Sequence, residues 1–338
     1  TTKGGKSGDL KIDFEAKYGV QKAHNLIKAL NAADRAMISN QAADNAGVAR
    51  DPAFDASKYP DGQITRTDWI DEIFRTARVQ DYNLSASAGN EKSSFYTGFN
   101  YRNAEGILIN TYAKRYNFRV NSQTQVTPWL KLGENISYSF TNGQGANTSS
   151  GYTGAVLSAI HYPRNVSVYD AAGKFSGLPV EYGPGTYGDV INPVAYLSRL
   201  DVNNPVHNLL INPYIELKLL PGLKFRSNFA YTKQFTDFKE FTARIPEIGK
   251  PNMSNSLAVN TNRLTDILTE QTLTYEKDFG LHHFDALAGY MYQKTTENYS
   301  NVVGENFDDE AKNYRYLVNA GRIQPIADGK LEQALISY

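Results

Sequence analysis

Tyr116-Asn117-Phe118-Arg119-Val120-Asn121-Ser122-Gln123-Thr124-Gln125-Val126-Thr127-Pro128-Trp129-Leu130-Lys131-Leu132-Gly133-Glu134-Asn135-Ile136-Ser137-Tyr138-Ser139-Phe140 is the stretch that decides the fold. At a period of two, one parity before the turn gives Tyr116, Phe118, Val120, Ser122, Thr124 and Val126. The other gives Asn117, Arg119, Asn121, Gln123 and Gln125. After Thr127-Pro128-Trp129 the alternation resumes, with Leu130, Leu132, Ile136, Tyr138 and Phe140 on one face and Glu134 as the intruder. Lys131, Gly133, Asn135, Ser137 and Ser139 take the other face. Successive strand side chains point to opposite faces, so this is a hairpin with one apolar and one polar surface. Each arm of about 11 residues spans about 35 Å, enough to cross a bilayer when tilted. Aromatic residues near the strand ends are placed as a membrane-interface girdle would be. A soluble sandwich also alternates, so the hairpin alone leaves both readings open.

The rest of the chain separates them. Lys11–Val20 alternates as a first strand, with Ile12, Phe14, Ala16, Tyr18 and Val20 on one parity. Residues 22–80 break the pattern. Within them Leu26, Leu30, Ala33 and Met37 fall at helical spacing up to Asn45-Ala46-Gly47, and Thr67–Arg75 reads as a short helix. Further strands are expected at Tyr82–Gly89 and Ser94–Arg102, then at Tyr214–Leu220 and Lys224–Thr232, then at Thr265–Glu276 and His283–Gln293. The turns within these pairs are short, and the segments between pairs are long: 103–112, 141–212, 233–263 and 295–330. A meander places alternate connections at opposite ends of the sheet, so all short turns share one end and all long loops the other. Outer-membrane barrels have that asymmetry, and a sandwich has no reason for it. The expected fold class is therefore all-β, a transmembrane antiparallel β-barrel. About nine strands are complete, and a tenth starts near Ala334. An open sheet leaves lipid-exposed edges, so further strands are expected after Tyr338.

Composition agrees. The chain has 338 residues with 35 Lys+Arg and 35 Asp+Glu, a zero net charge that gives no footprint for nucleic acid. Mean hydropathy is −0.48 and no apolar run approaches the length of a transmembrane helix. Spanning strands need only every second residue apolar, so a barrel is compatible with that value. There is no cysteine, and tyrosine is abundant at 23 residues. No secretory signal is visible at Thr1, and both ends read as cut.

No catalytic constellation emerges, and the chain is expected not to be an enzyme. Gly5-Lys6-Ser7 lacks the earlier glycine of a phosphate-binding loop and precedes a strand. Gly183-Pro184-Gly185-Thr186-Tyr187-Gly188 matches a dinucleotide fingerprint only in letters, because it follows no strand and opens no helix. Phe307-Asp308-Asp309-Glu310 could touch a loop Ca2+ but lacks the alternating ligands of a calcium loop, so no cofactor is expected. Asn117, Arg119, Asn121, Lys131, Asn135 and Arg226 are expected to face a wet lumen. The segment 141–212 concentrates aromatic residues. Tyr152, Tyr162, Arg164, Tyr182 and Tyr187, with Trp69 from the earlier loop, are candidates to contact substrate or a partner. Aromatic faces pack on sugar rings and arginine forks to carboxylates, while the alternative is that these rings pack the loops together.

Several motifs resemble the SusC/RagA family of TonB-dependent outer-membrane transporters. Thr1-Thr2-Lys3-Gly4-Gly5-Lys6-Ser7-Gly8 is similar to the end of the family's plug, with Gly4 where lysine is usual. Thr67-Asp68-Trp69-Ile70-Asp71-Glu72-Ile73-Phe74-Arg75 resembles a T-D-W-x-D-x-I-F-R segment. Gly89-Asn90-Glu91-Lys92-Ser93-Ser94-Phe95-Tyr96, Asn103-Ala104-Glu105-Gly106-Ile107-Leu108, Trp129–Gly133 and Asn192-Pro193-Val194-Ala195 follow in family order. The resemblance implies residues 1–9 as the end of a plug and 10–338 as the first part of a plugged barrel of about 22 strands. It implies import of an oligosaccharide or peptide across the outer membrane of Bacteroidetes-type bacteria, energised by TonB-ExbB-ExbD through an N-terminal region. The implied surroundings are a SusD-like lipoprotein lid and a bilayer with lipopolysaccharide. A passive porin-like channel is the competing reading.

Overall fold

The computed structural model describes residues 8–148, 154–180, 182 and 186–338. The alternating segments form one sheet of twelve antiparallel strands. Its strands are β1 (Gly8–Gln21), β2 (Ala77–Gly89), β3 (Ser93–Glu105), β4 (Tyr112–Thr127), β5 (Leu130–Gln144), β6 (Val202–Asn203), β7 (Val206–Leu220), β8 (Leu223–Thr242), β9 (Ser256–Phe279), β10 (His282–Phe307), β11 (Ala320–Ile323) and β12 (Ala327–Ser337). Each long strand pairs with its neighbour in sequence; β6 is a short rung on β8, and β11 and β12 both pair with β10. Setting aside β6 and β11, ten strands run as a meander, as the sequence implies. Gly8 and Asp9 already belong to β1, so the barrel begins earlier than residue 10.

The decisive hairpin has the register its parity demands. Phe118 faces Tyr138, Val120 faces Ile136, Asn117 faces Ser139 and Asn121 faces Asn135. The short turns are tight for identifiable reasons. Gly222 sits at φ 83° and Gly280 at φ 64°, in the left-handed region open to glycine. At Gly222 an added Cβ would also lie 2.2 Å from the Glu276 carbonyl oxygen.

The strands are longer than their apolar alternation. β8, β9 and β10 have 20, 24 and 26 residues, about twice what a bilayer requires. The ladder continues outward because backbone pairing does not need lipid. A small second core of Phe241, Leu257 and Phe307 stabilises the projecting ends, with Phe241 and Phe307 edge to face at 5.4 Å. The long connections are accordingly shorter than the sequence suggests: 22–76, 106–111, 145–205, 243–255 and 308–326.

Among the described residues four α-helices lie in the loops: α1 (Ala32–Ala46), α2 (Trp69–Ile73), α3 (Ala155–His161) and α4 (Pro193–Arg199). The Asn31 side chain caps α1 by accepting from the Asp34 N–H at 2.7 Å, so Leu26 and Leu30 fall before the helix. Gly47 ends it in the left-handed conformation at φ 64°. Asp68 caps α2, and Asn192 caps α4 ahead of Pro193.

Candidate functional site

Two features give this chain its functional character. They are a sheet with chemically opposed faces and a packed cap built from its long loops.

On the apolar face a row of rings follows the hydrogen-bond ladder across six strands. Tyr82, Tyr101, Tyr116, Phe140, His207 and Phe235 lie at successive centroid separations of 6.2, 4.8, 5.9, 4.7 and 4.2 Å. Tyr116, Phe140 and His207 lie within four residues of the loop ends of their strands. From Tyr116 to Val126 is about 33 Å along the strand, or about 25 Å in height at the usual barrel tilt. That is the height of an outer-membrane apolar band. The side chains on this face are open to the surroundings, with Phe118 45% and Phe14 68% exposed.

On the opposite face runs a polar row, one position along the chain from each ring. Asn83, Asn100, Asn117, Ser139, Asn208 and Gln234 are in register, with Glu15 at the start. The Asn100 amide donates to Asp81 at 2.7 Å and to Asn83 at 2.8 Å. Further along, Asn135 donates to Asn212 at 3.4 Å and Asn212 to Asn228 at 3.1 Å. Lys131 faces Glu216, and Glu216 faces Arg226, whose guanidinium lies 4.0 Å from the centre of the Tyr214 ring. All six residues expected in the lumen, Asn117, Arg119, Asn121, Lys131, Asn135 and Arg226, thus share this polar face. An open trough of about 870 Å3 runs over it between Glu15 and Ser139.

The cap draws one core from loops 22–76, 106–111 and 145–205. Trp69, Ile73, Leu108, Tyr162, Tyr182, Tyr187 and Leu197 are among its buried members. Trp69 is 1% exposed and meets Tyr162, also 1% exposed, edge to face at 4.8 Å. The indole N–H donates to the Pro163 carbonyl at 2.9 Å, and the Tyr162 hydroxyl donates to the Ser176 carbonyl at 3.0 Å. Tyr182 stacks obliquely on Tyr187 at 5.0 Å. Burial pushes all three tyrosine hydroxyls above their ordinary pKa.

Several candidate contact residues are therefore interior. Trp69, Tyr162, Tyr182 and Tyr187 are buried in the core of the cap. A ring 1% exposed offers almost no surface to a ligand. Arg164 is anchored to the carbonyls of Thr67 at 3.1 Å and Ala29 at 2.8 Å and forms an ion pair with Asp68. Tyr152 lies outside the described residues. The charged ties between loops were not foreseen. Arg199 forks to Glu247 at 2.9 and 2.5 Å, and Arg315 pairs with Asp201. Nothing in sequence spacing marks such pairs, because their partners lie 48 and 114 residues apart. Glu310, from the acidic run weighed for Ca2+, accepts from the Asn255 amide at 2.8 Å and the Arg244 N–H at 3.0 Å.

The comparisons agree with this geometry. No family model matches the chain. It is 26% identical over 323 residues, 94% of its length, to TonB-dependent receptor P3 of Formosa agariphila. It is 25% identical over 324 residues, 95% of its length, to TonB-dependent receptor P26 of the same organism. The chain is a relative of TonB-dependent receptors. It spans about 30% of the length of P3 and 31% of P26. Its structure superposes on the RagAB peptide importer in the closed-closed state with a TM-score of 0.78, and on the open-open state with 0.79. Each superposition covers 99% of this chain and 40% of that one at 18% identity. The SusC/RagA resemblance and the antiparallel barrel fold are thus borne out, and the chain is part of an outer-membrane β-barrel. No helix among the described residues is long and apolar enough to span a membrane, and none is needed.

Proposed function

We propose that the chain forms the first strands and outer loops of an energised importer that carries an oligosaccharide across the outer membrane. The observation that supports this best is the pair of rows: rings on one face, five amides and a serine on the other, on the same rungs of six strands. The rings suit the lipid boundary, and the polar face suits a hydrated lumen lined by Asn117, Arg119, Asn121, Lys131, Asn135 and Arg226. Neutral amides exchange hydrogen bonds readily with a solute rich in hydroxyl groups. In this reading the packed cap is a firm platform for a SusD-like lipoprotein lid, and TonB-ExbB-ExbD supplies the energy that releases solute inward. A peptide cargo is the second reading, favoured by the likeness to the RagAB peptide transporter.

Uptake by cells carrying the full-length protein tests the proposal. Oligosaccharide accumulation should stop when the proton-motive force is dissipated, and a lipoprotein should co-purify with the cap. Accumulation that continues without energy would point instead to a passive channel. Energised uptake of peptides alone would select the second reading.

A further inference from the structure

A cavity of about 350 Å3 opens in the cap where the start of α1 meets the segment after α3. That volume is near the lower end of ligand pockets, roughly 300–1,000 Å3, and suits one residue of an oligomer better than a whole chain. Lys28, Arg35, His161, Arg164, Tyr162 and Tyr187 are among its walls. No Asp or Glu lines it among the described residues.

The cations are not equivalent. Arg164 is already neutralised by Asp68 and fixed to two carbonyls. Arg35 is half-buried with its guanidinium carbon 4.4 Å from the centre of the Tyr187 ring. Its side chain donates to the His161 carbonyl at 3.0 Å. Among the described residues neither Arg35 nor Lys28 has a carboxylate partner. With Nη1 given to the His161 carbonyl, the edge of Arg35 formed by Nε and Nη2 is the one left to fork to a carboxylate. Burial lowers the Arg35 pKa from its ordinary value, as desolvation of an uncompensated cation requires.

We propose that this cavity is a subsite for a carboxylate carried by the solute, with Arg35 as the forked partner and Lys28 as a second positive charge. The carboxylate could belong to an acidic sugar or to an acidic amino-acid side chain. The proposal rests on the import reading only for how the ligand arrives.

The test is calorimetric titration of the purified full-length protein. The probes are tri-galacturonic acid against its methyl ester, and the peptide Gly-Glu-Gly against Gly-Gln-Gly. At least one acid should bind tenfold or more tightly than its neutral twin, and the pair that shows the difference identifies the source. Arg35→Gln should abolish the preference. Lys28→Gln, at an exposed position that leaves packing intact, should reduce it several-fold. Equal binding of acid and neutral probes, binding of none of them, or a preference that survives both substitutions would overturn the proposal. Energised uptake of a neutral oligosaccharide would persist in that case, so the two readings fail separately.

Discussion

The sheet and the cap use the same residue types to opposite ends. In the sheet, Tyr116, Phe118, Ile136 and Tyr138 point outward from a wall one layer thick. In the cap, Trp69, Tyr162, Tyr182 and Tyr187 turn inward into a shared core. The difference lies in the surroundings each region meets. A wall between lipid and water has two solvents and needs no interior, so alternation alone specifies it. A cap surrounded by water must build a core from residues distant in sequence, and no local period records that.

The comparison is broken most severely by emptying the cap. Trp69→Ala should cost about 3–5 kcal/mol of cap stability, because it removes a fully buried indole and strands the Pro163 carbonyl. Limited proteolysis of the full-length protein should then cut within 22–76 and 145–205 while the strands stay resistant. The same core should loosen in alkali. Its tyrosine pKa values are raised, so their hydroxyls ionise more readily in the open state. Cap stability is then intact below about pH 10 and declines above it. Proteolysis across that range reads the effect.

Next comes the wall. Ile136→Arg should cost about 2–4 kcal/mol in lipid, as a cation placed on an outward membrane face does, and urea unfolding in vesicles measures it. Arg199→Met should cost roughly 1.5–3 kcal/mol, because Glu247 loses a charged hydrogen-bond partner in a part-buried setting. The smallest effect is expected on the polar face. Ser139→Asp should change stability by less than about 0.5 kcal/mol, since its side chain meets water and the amides of Asn117 and Asn208.

This ordering also explains what the sequence made legible. The faces of the β4–β5 hairpin could be read residue by residue, because a one-residue slip would put Phe118 among the amides. The Gly47 stop of α1 was legible for a local reason, the left-handed turn. Its start was not, because Leu26 and Leu30 carry helical spacing while Asn31 supplies the cap. Strand ends in β8, β9 and β10 were misjudged because alternation fades where the ladder leaves the membrane and pairing alone sustains it. Within the cap, aromatic richness was visible but its direction was not. Tyr162 and Tyr187 can be read as binding surface or as core until Trp69, distant in sequence, is brought against Tyr162. Arg35 carried no signal at all: it becomes notable only when the fold sets it over Tyr187 with no ion-pair partner among the described residues.

The central claim is that the two faces of one strand meet different media, and spin labels test it directly. The chain contains no cysteine, so Phe118→Cys, Leu132→Cys, Arg119→Cys and Lys131→Cys can each carry a single nitroxide in the full-length protein. In bilayers, labels at 118 and 132 should relax strongly with oxygen and weakly with a water-soluble nickel chelate, and labels at 119 and 131 should show the reverse. Similar accessibility on both parities would contradict the account.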